Sequence, residues 1–182
     1  MPFRGDTFEV LQVPSELEQM RRLYQDEAPK RVLEIGCWDG GTLREWLTYG
    51  APEVVVAVDL EHANQEEYEA WRQPNTALHV YTGSSLVPEQ QDAIRKHGPY
   101  DWAFIDGDHS DHGVRTDFET VLPCMRADGL ILLHDITPAA GITDCPVGRL
   151  FGELGERFET WAFQDPTPAP WTRGIGVVRV PT

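Results

Sequence analysis

Five short apolar runs, RVLEI, VVVAVD, ALHVY, DWAFID and GLILLHD, recur along the chain with helix-patterned segments between them. Strands this continuously apolar have no polar face to give to water, so each needs cover on both sides. With helices as the connections, the pattern calls for a parallel sheet wound with helices on both faces. The helical segments are PSELEQMRRLYQDEA, opened by Pro14 and Ser15, GTLREWLTYG, stopping at Gly50, and ANQEEYEAWRQ, halted by Pro74. They continue with VPEQQDAIRKHG, a helix through VRTDFETVLPCMR, and VGRLFGELGERF. Apolar spacing and terminal Pro or Gly mark their ends. FETWAF and GIGVVRV close the chain with only a Pro-rich connection, QDPTPAPW, between them, so they are expected to pair antiparallel at one edge. The expectation is a Rossmann-like, doubly wound α/β sheet of seven strands with an antiparallel final hairpin. Residues 1–29 would form an N-terminal helical or lid segment and residues 30–182 the main unit of a single domain.

Charge narrows the partners. The formal net charge of −15 repels phosphate backbones and anionic lipid surfaces, which argues against nucleic acid and membrane. No apolar stretch approaches membrane-spanning length, and the opening MPFRGDTFEV does not read as a signal peptide. Cys37, Cys124 and Cys145 are odd in number and lack a CxxC spacing, which favours reduced thiols and a cytoplasmic setting.

In sheets of this kind, ligands sit beyond the carboxyl ends of the strands, where strand order reverses. After the first strand comes EIGCWDGG, with glycines at 36, 40 and 41 that let the backbone turn tightly and present helix amides to a ligand. The spacing is not the G-x-G-x-x-G of a dinucleotide site, and a simple strand–helix turn would use it equally well. The second strand ends in Asp59, nineteen residues after Gly40, placed to accept hydrogen bonds from ribose hydroxyls. The third ends in TGSSL, whose small side chains leave room for an adenine.

In that order, these segments resemble the class I S-adenosylmethionine-dependent methyltransferases. EIGCWDGG is similar to their first motif, VVAVDLE to their acidic strand end, YDWAFIDGDHS to their fourth-strand motif and ADGLILLHDI to their fifth strand. The likeness is greatest to the bacterial small-molecule O-methyltransferases of macrolide-sugar and cephalosporin pathways. It implies that Glu34, Gly36, Gly40, Asp59, Ser84 and Asp106 contact S-adenosylmethionine, and that the acceptor is a hydroxyl of a small molecule.

The stretch FIDGDHSDHG then gains a context, because it follows the fourth strand and faces the LHD end of the fifth. Asp106 and Asp135 would converge there on a hard divalent cation such as magnesium or manganese. The resemblance makes the strand-four aspartate and a strand-five acidic pair the metal ligands. Here the first of that pair is His134, and imidazole opens the site to manganese, iron or nickel. His109 matches the general base of the sugar-modifying members, and an imidazole suits the removal of a hydroxyl proton. The catalytic candidates are therefore His109 and Asp106, and the metal candidates Asp106, His134 and Asp135.

Asp108, Asp111 and His112 read as loop and cap residues, and His62, His79 and His97 belong to no constellation. Cys37 reads as a small filler, and Trp38 and Trp171 as tryptophans able to line a pocket. Competing readings are a metal-independent methyltransferase, a metal-dependent hydrolase built on DGDH and HD, and a nucleotide-binding module without catalysis. The hydrolase would leave the glycine loop and Asp59 unexplained. Specificity is expected in the N-terminal segment, residues 136–147 and residues 164–173; the antiparallel edge or the N-terminal helix would serve a homodimer.

Overall fold

A computed structural model describes residues 12–167 and 169–182. Residues 1–11 of the expected lid lie outside the described residues. The elements run α1 (Pro14–Glu27), β1 (Arg31–Ile35), α2 (Gly41–Tyr49), β2 (Val54–Asp59), α3 (Gln65–Trp71), β3 (Ala77–Thr82), α4 (Pro88–His97) and β4 (Tyr100–Ile105). They continue with α5 (Asp111–Val121), β5 (Met125–Thr137), α6 (Pro146–Leu154), β6 (Glu159–Phe163) and β7 (Arg173–Arg179). One sheet takes the order β3-β2-β1-β4-β5-β7-β6, and β7 runs antiparallel to both of its neighbours.

Alternation along each strand sends side chains into two separate cores. Leu33, Ile35, Ala103, Ile105, Ile131 and Leu133 meet Ile94 of α4, Phe118 of α5 and Leu150 of α6. Val32, Trp102, Phe104 and Leu132 face the other way, onto Met20 and Tyr24 of α1, Trp46 of α2 and Tyr68 of α3. α1 is therefore part of the second core. The aromatic knot of Tyr24, Trp46 and Trp102, with ring centroids 4.8–5.4 Å apart, ties it to α2 and β4.

The expected helix over 114–126 differs at both ends. It starts earlier because Ser110 Oγ accepts the Gly113 N–H as an N-cap. It gives way at Leu122–Cys124 to a 3₁₀ turn containing Pro123, which has no N–H to continue the ladder, and β5 starts directly after.

α5 also buries a carboxyl group where the pattern would place an apolar one. Asp117 is fully buried, and neither oxygen has a well-formed hydrogen bond among the described residues. Burial pushes its pKa up to about 6, the Ser85 hydroxyl drawing it only part of the way back. A raised carboxyl pKa means stability that is fully present below the unfolded-state value and lost as pH rises through the folded one. Asp117→Asn is thus expected to stabilise the fold by on the order of 1–3 kcal/mol near pH 7.5, with the advantage gone below about pH 4. Thermal melts at the two pH values check this, and an advantage independent of pH would be the contrary result.

Candidate functional site

Strand register sets the site. Ile35 pairs with Val58 and with Ile105, and Ile105 pairs with Leu133. The next residues, Gly36, Asp59, Asp106 and His134, therefore stand in one row at the carboxyl edge. β1 and β4 are the central pair of that row, where the winding direction reverses.

On one side lies the glycine loop. Gly36 has φ +85°, and a Cβ there would come within 2.1 Å of the Asp106 carbonyl oxygen, so only glycine fits between β1 and β4. Gly40, with φ +83°, precedes the first turn of α2. The Asp59 carboxylate accepts the backbone N–H groups of Cys37 at 2.5 Å and Trp38 at 2.7 Å through Oδ2, and that of Glu61 at 3.1 Å through Oδ1. It thus braces the loop as well as facing the mouth. Glu34 lies fully buried below the loop, where its Oε1 accepts the Thr42 hydroxyl at 2.5 Å. Burial pushes its pKa up to about 8, against the pull of Thr42 and Trp46. Ser84 follows β3, half-buried, its hydroxyl accepting the Leu86 N–H. Cys37 is buried filler, and Trp38 is about half exposed beside it, as is Trp171 in the β6–β7 connection.

Opposite the loop, four side chains converge. Asp106 Oδ1 lies 3.1 Å from His109 Nε2 and 3.1 Å from His134 Nδ1. Asp135 Oδ2 lies 3.4 Å from His109 Nδ1, and Asp135 Oδ1 lies 3.4 Å from His134 Nδ1. Burial opposes a charge on Asp106, but the two imidazoles outweigh it and hold the carboxyl well below the usual range. His134 is buried, which works against its cation, yet Asp106 and Asp135 push its pKa well up. The hydrogen bond to Asp106 raises that of the more exposed His109.

Ligand atoms of Asp106, His134 and Asp135 all lie within 4.8 Å of one another. Among the described residues, His134 Nε2 and Asp135 Oδ1 are buried without a hydrogen-bond partner. Two carboxylates and an imidazole, with unsatisfied donor atoms, fit a divalent cation that accepts mixed oxygen and nitrogen ligands.

The remaining candidates fall outside this cluster. Asp108 caps the Ser110 amide, and Asp111 pairs with Arg115 and Arg149. His62 reaches the Tyr81 carbonyl, and His79 stacks on His97 with centroids 4.1 Å apart.

Three features escape sequence reasoning. Gln12 donates to Asp106 Oδ2 at 3.3 Å, across a separation of 94 residues that no local pattern signals. Glu16, fully buried on α1, accepts the backbone N–H groups of Asp165 at 2.7 Å and Gly174 at 3.0 Å. The Ala140 N–H donates to the Ala169 carbonyl at 2.8 Å. The N-terminal helix, the 136–147 loop and the 164–173 connection are thereby fastened together at the mouth. Cys145 escapes sequence reasoning as well: it caps α6 and touches the Asp135 carbonyl, and its place directly before Pro146 was the one available sign.

This strand order, with β7 reversed and a polar cluster across the switch point from a glycine turn, defines the Rossmann-like methyltransferase fold. TomG, an O-methyltransferase from Streptomyces achromogenes determined with SAM, shares it at a TM-score of 0.70 and 17% identity, over 95% of this chain and 82% of that one. The MycE methyltransferase of the mycinamycin pathway, determined with Mg and SAH, gives 0.64 and 22% identity over 90% and 48%. The chain belongs to the methyltransferase-domain family, whose model matches residues 33–136. Demethylmacrocin O-methyltransferase of Streptomyces fradiae is 28% identical over 131 residues. That alignment takes in 65% of this chain but 30% of the relative, so the chain spans about a third of that protein's length. Among the described residues, no helix is long and apolar enough to cross a membrane.

Proposed function

We propose that this chain transfers the methyl group of S-adenosylmethionine to a hydroxyl of a small molecule, with His109 as the base and a divalent cation at Asp106, His134 and Asp135. The observation that carries the proposal is the single row of Gly36, Asp59, Asp106 and His134, with the braced glycine loop on one side and the imidazole–carboxylate cluster on the other. Family membership, and likeness to proteins determined with SAM or with Mg and SAH, support it.

For the cofactor, Asp59 faces the ribose from the end of β2, and the amides at the start of α2 meet the carboxylate of the methionine moiety. Leu60, 72% exposed next to Asp59, offers the adenine an apolar face, with Ser84 at its edge. The bound cation would supply Lewis acidity and a fixed template for the acceptor oxygen. Asp106 accepts from His109 Nε2–H and so fixes the tautomer, leaving Nδ1 as the basic atom. His109 takes the hydroxyl proton at Nδ1, and the Asp135 carboxylate at 3.4 Å stabilises the resulting imidazolium.

The negative chain and the pairing of Arg115 and Arg149 with acidic residues keep the mouth short of cations, consistent with a small uncharged acceptor and with neither nucleic acid nor membrane as partner.

Asp59→Ala is expected to weaken S-adenosylmethionine binding by roughly 1.5–3 kcal/mol, through the lost hydrogen bond to charge and the unbraced loop. Titration calorimetry checks it, with circular dichroism confirming the fold; unchanged affinity would remove Asp59 from the site. Calorimetry of the unaltered protein with S-adenosylmethionine against NAD and ATP tests the whole reading, and preference for either nucleotide overturns it.

A further inference from the structure

Neighbouring residues of a strand point to opposite faces of the sheet. His134 follows the alternation, since Leu132 faces the α1–α3 core and Leu133 the α4–α6 core. By the same alternation, Asp135 should turn away from Asp106, towards α6. It does not, because the pleat breaks at that residue. Leu133 and Ile136, three positions apart, both lie in the α4–α6 core, and the β5–β7 register shifts between His134 and Thr137. Asp135 takes φ +65°, a left-handed conformation that a non-glycine residue adopts at a cost of about 1 kcal/mol. That bulge brings two consecutive side chains to one point.

Strain of this kind persists only where the surroundings enforce it. Here the enforcing element is the first turn of α6. The Cys145 thiol donates to the Asp135 carbonyl at 3.2 Å and accepts the Gly148 N–H at 3.3 Å. Gly148 packs against the next carbonyl, since a Cβ there would fall 2.3 Å from Ile136 O. Cys145 itself is buried.

We infer that Cys145 is a positioning residue: its thiol holds the Asp135 backbone in the left-handed bulge that turns the carboxylate to the side of Asp106 and His134, so the geometry of the cation site depends on a side chain that touches neither cation nor acceptor. The inference rests on the cation site proposed above. Loss of the thiol leaves the Asp135 carbonyl without its donor and lets the strand relax towards its regular pleat, carrying the carboxylate away from His134.

The test compares Cys145→Ala with Cys145→Ser, whose hydroxyl keeps both the donor and the cap; Cys145→Val replaces the alanine variant should that one not fold. Manganese binding by calorimetry is expected to weaken roughly 10–100-fold in Cys145→Ala, the usual loss for a residue that orients a metal ligand, and to recover in Cys145→Ser. S-adenosylmethionine affinity should stay unchanged in both, which a general loosening of the fold would not allow. Metal-free crystal structures of the same variants give the second readout, with Asp135 leaving positive φ in Cys145→Ala and keeping it in Cys145→Ser. If Asp135 stays at positive φ without the thiol, or manganese affinity is unaltered, Cys145 has no such role. Failure of the unaltered protein to bind manganese would instead count against the cation site, and the backbone readout would still decide the role of Cys145.

Discussion

His109→Ala is expected to lower turnover by roughly 10²–10⁴-fold, the range for losing a positioned acid–base group. His109 is positioned through Nε2, 3.1 Å from Asp106, with Asp135 3.4 Å from Nδ1, so a freely moving solvent base cannot take its place. Affinity for S-adenosylmethionine should hardly change, because the imidazole faces the acceptor side of the row. The pH profile gives the sharper reading. The hydrogen bond to Asp106 raises the imidazole pKa above its ordinary value of 6.5. Only the neutral ring accepts a proton, so the rate should climb with pH through an ionisation displaced to the alkaline side of that value. In the alanine variant the limb should vanish. Near-normal turnover with the same limb would leave His109 a loop residue.

Asp106→Asn is expected to abolish the metal-supported rate while leaving the fold intact. Asp106 lies 3.1 Å from both imidazoles, nearer than Asp135 at 3.4 Å, and it also receives the Gln12 amide. Converting it to an amide removes a charged ligand of the proposed cation and the counter-charge that raises both imidazole pKa values. The His134 and His109 imidazole pKa values should therefore fall together, a change that imidazole proton resonances follow without any metal or cofactor present. Activity that persists in Asp106→Asn, or in the unaltered enzyme after exhaustive chelation, would favour a metal-independent reaction. Unmoved histidine resonances would show that Asp106 is not their partner.

How much of this could be read before folding differs from residue to residue. Asp59, Asp106 and His134 were legible because each directly follows a run of apolar residues, and a parallel sheet aligns such positions whatever the loops do. His109 was legible only through the family likeness; by composition alone it is one of five acidic and imidazole side chains in a single stretch, and its orientation towards the cluster depends on Asp106 and Asp135. The start of α5 was misplaced because Ser110, within an acidic loop, carries a cap that only its backbone geometry reveals. Gln12 and Glu16 were invisible, since their partners lie 94 and about 150 residues away in the chain.

The sequence by itself determined the doubly wound sheet, the reversed final hairpin and the row of residues at its carboxyl edge. These follow from local properties: the apolar period of each segment, the helix stops, and the need of a doubly buried strand for helical cover. The tertiary structure decided what that row can do. A regular strand would separate His134 and Asp135 onto opposite faces, and only the packing of α6 against β5, through Cys145 and Gly148, puts the bulge at Asp135 that reunites them. The fastening of α1 to the 164–173 connection by Glu16 is of the same kind. Such contacts join segments far apart in sequence, so no local pattern encodes them; they exist only once the sheet has brought the segments together.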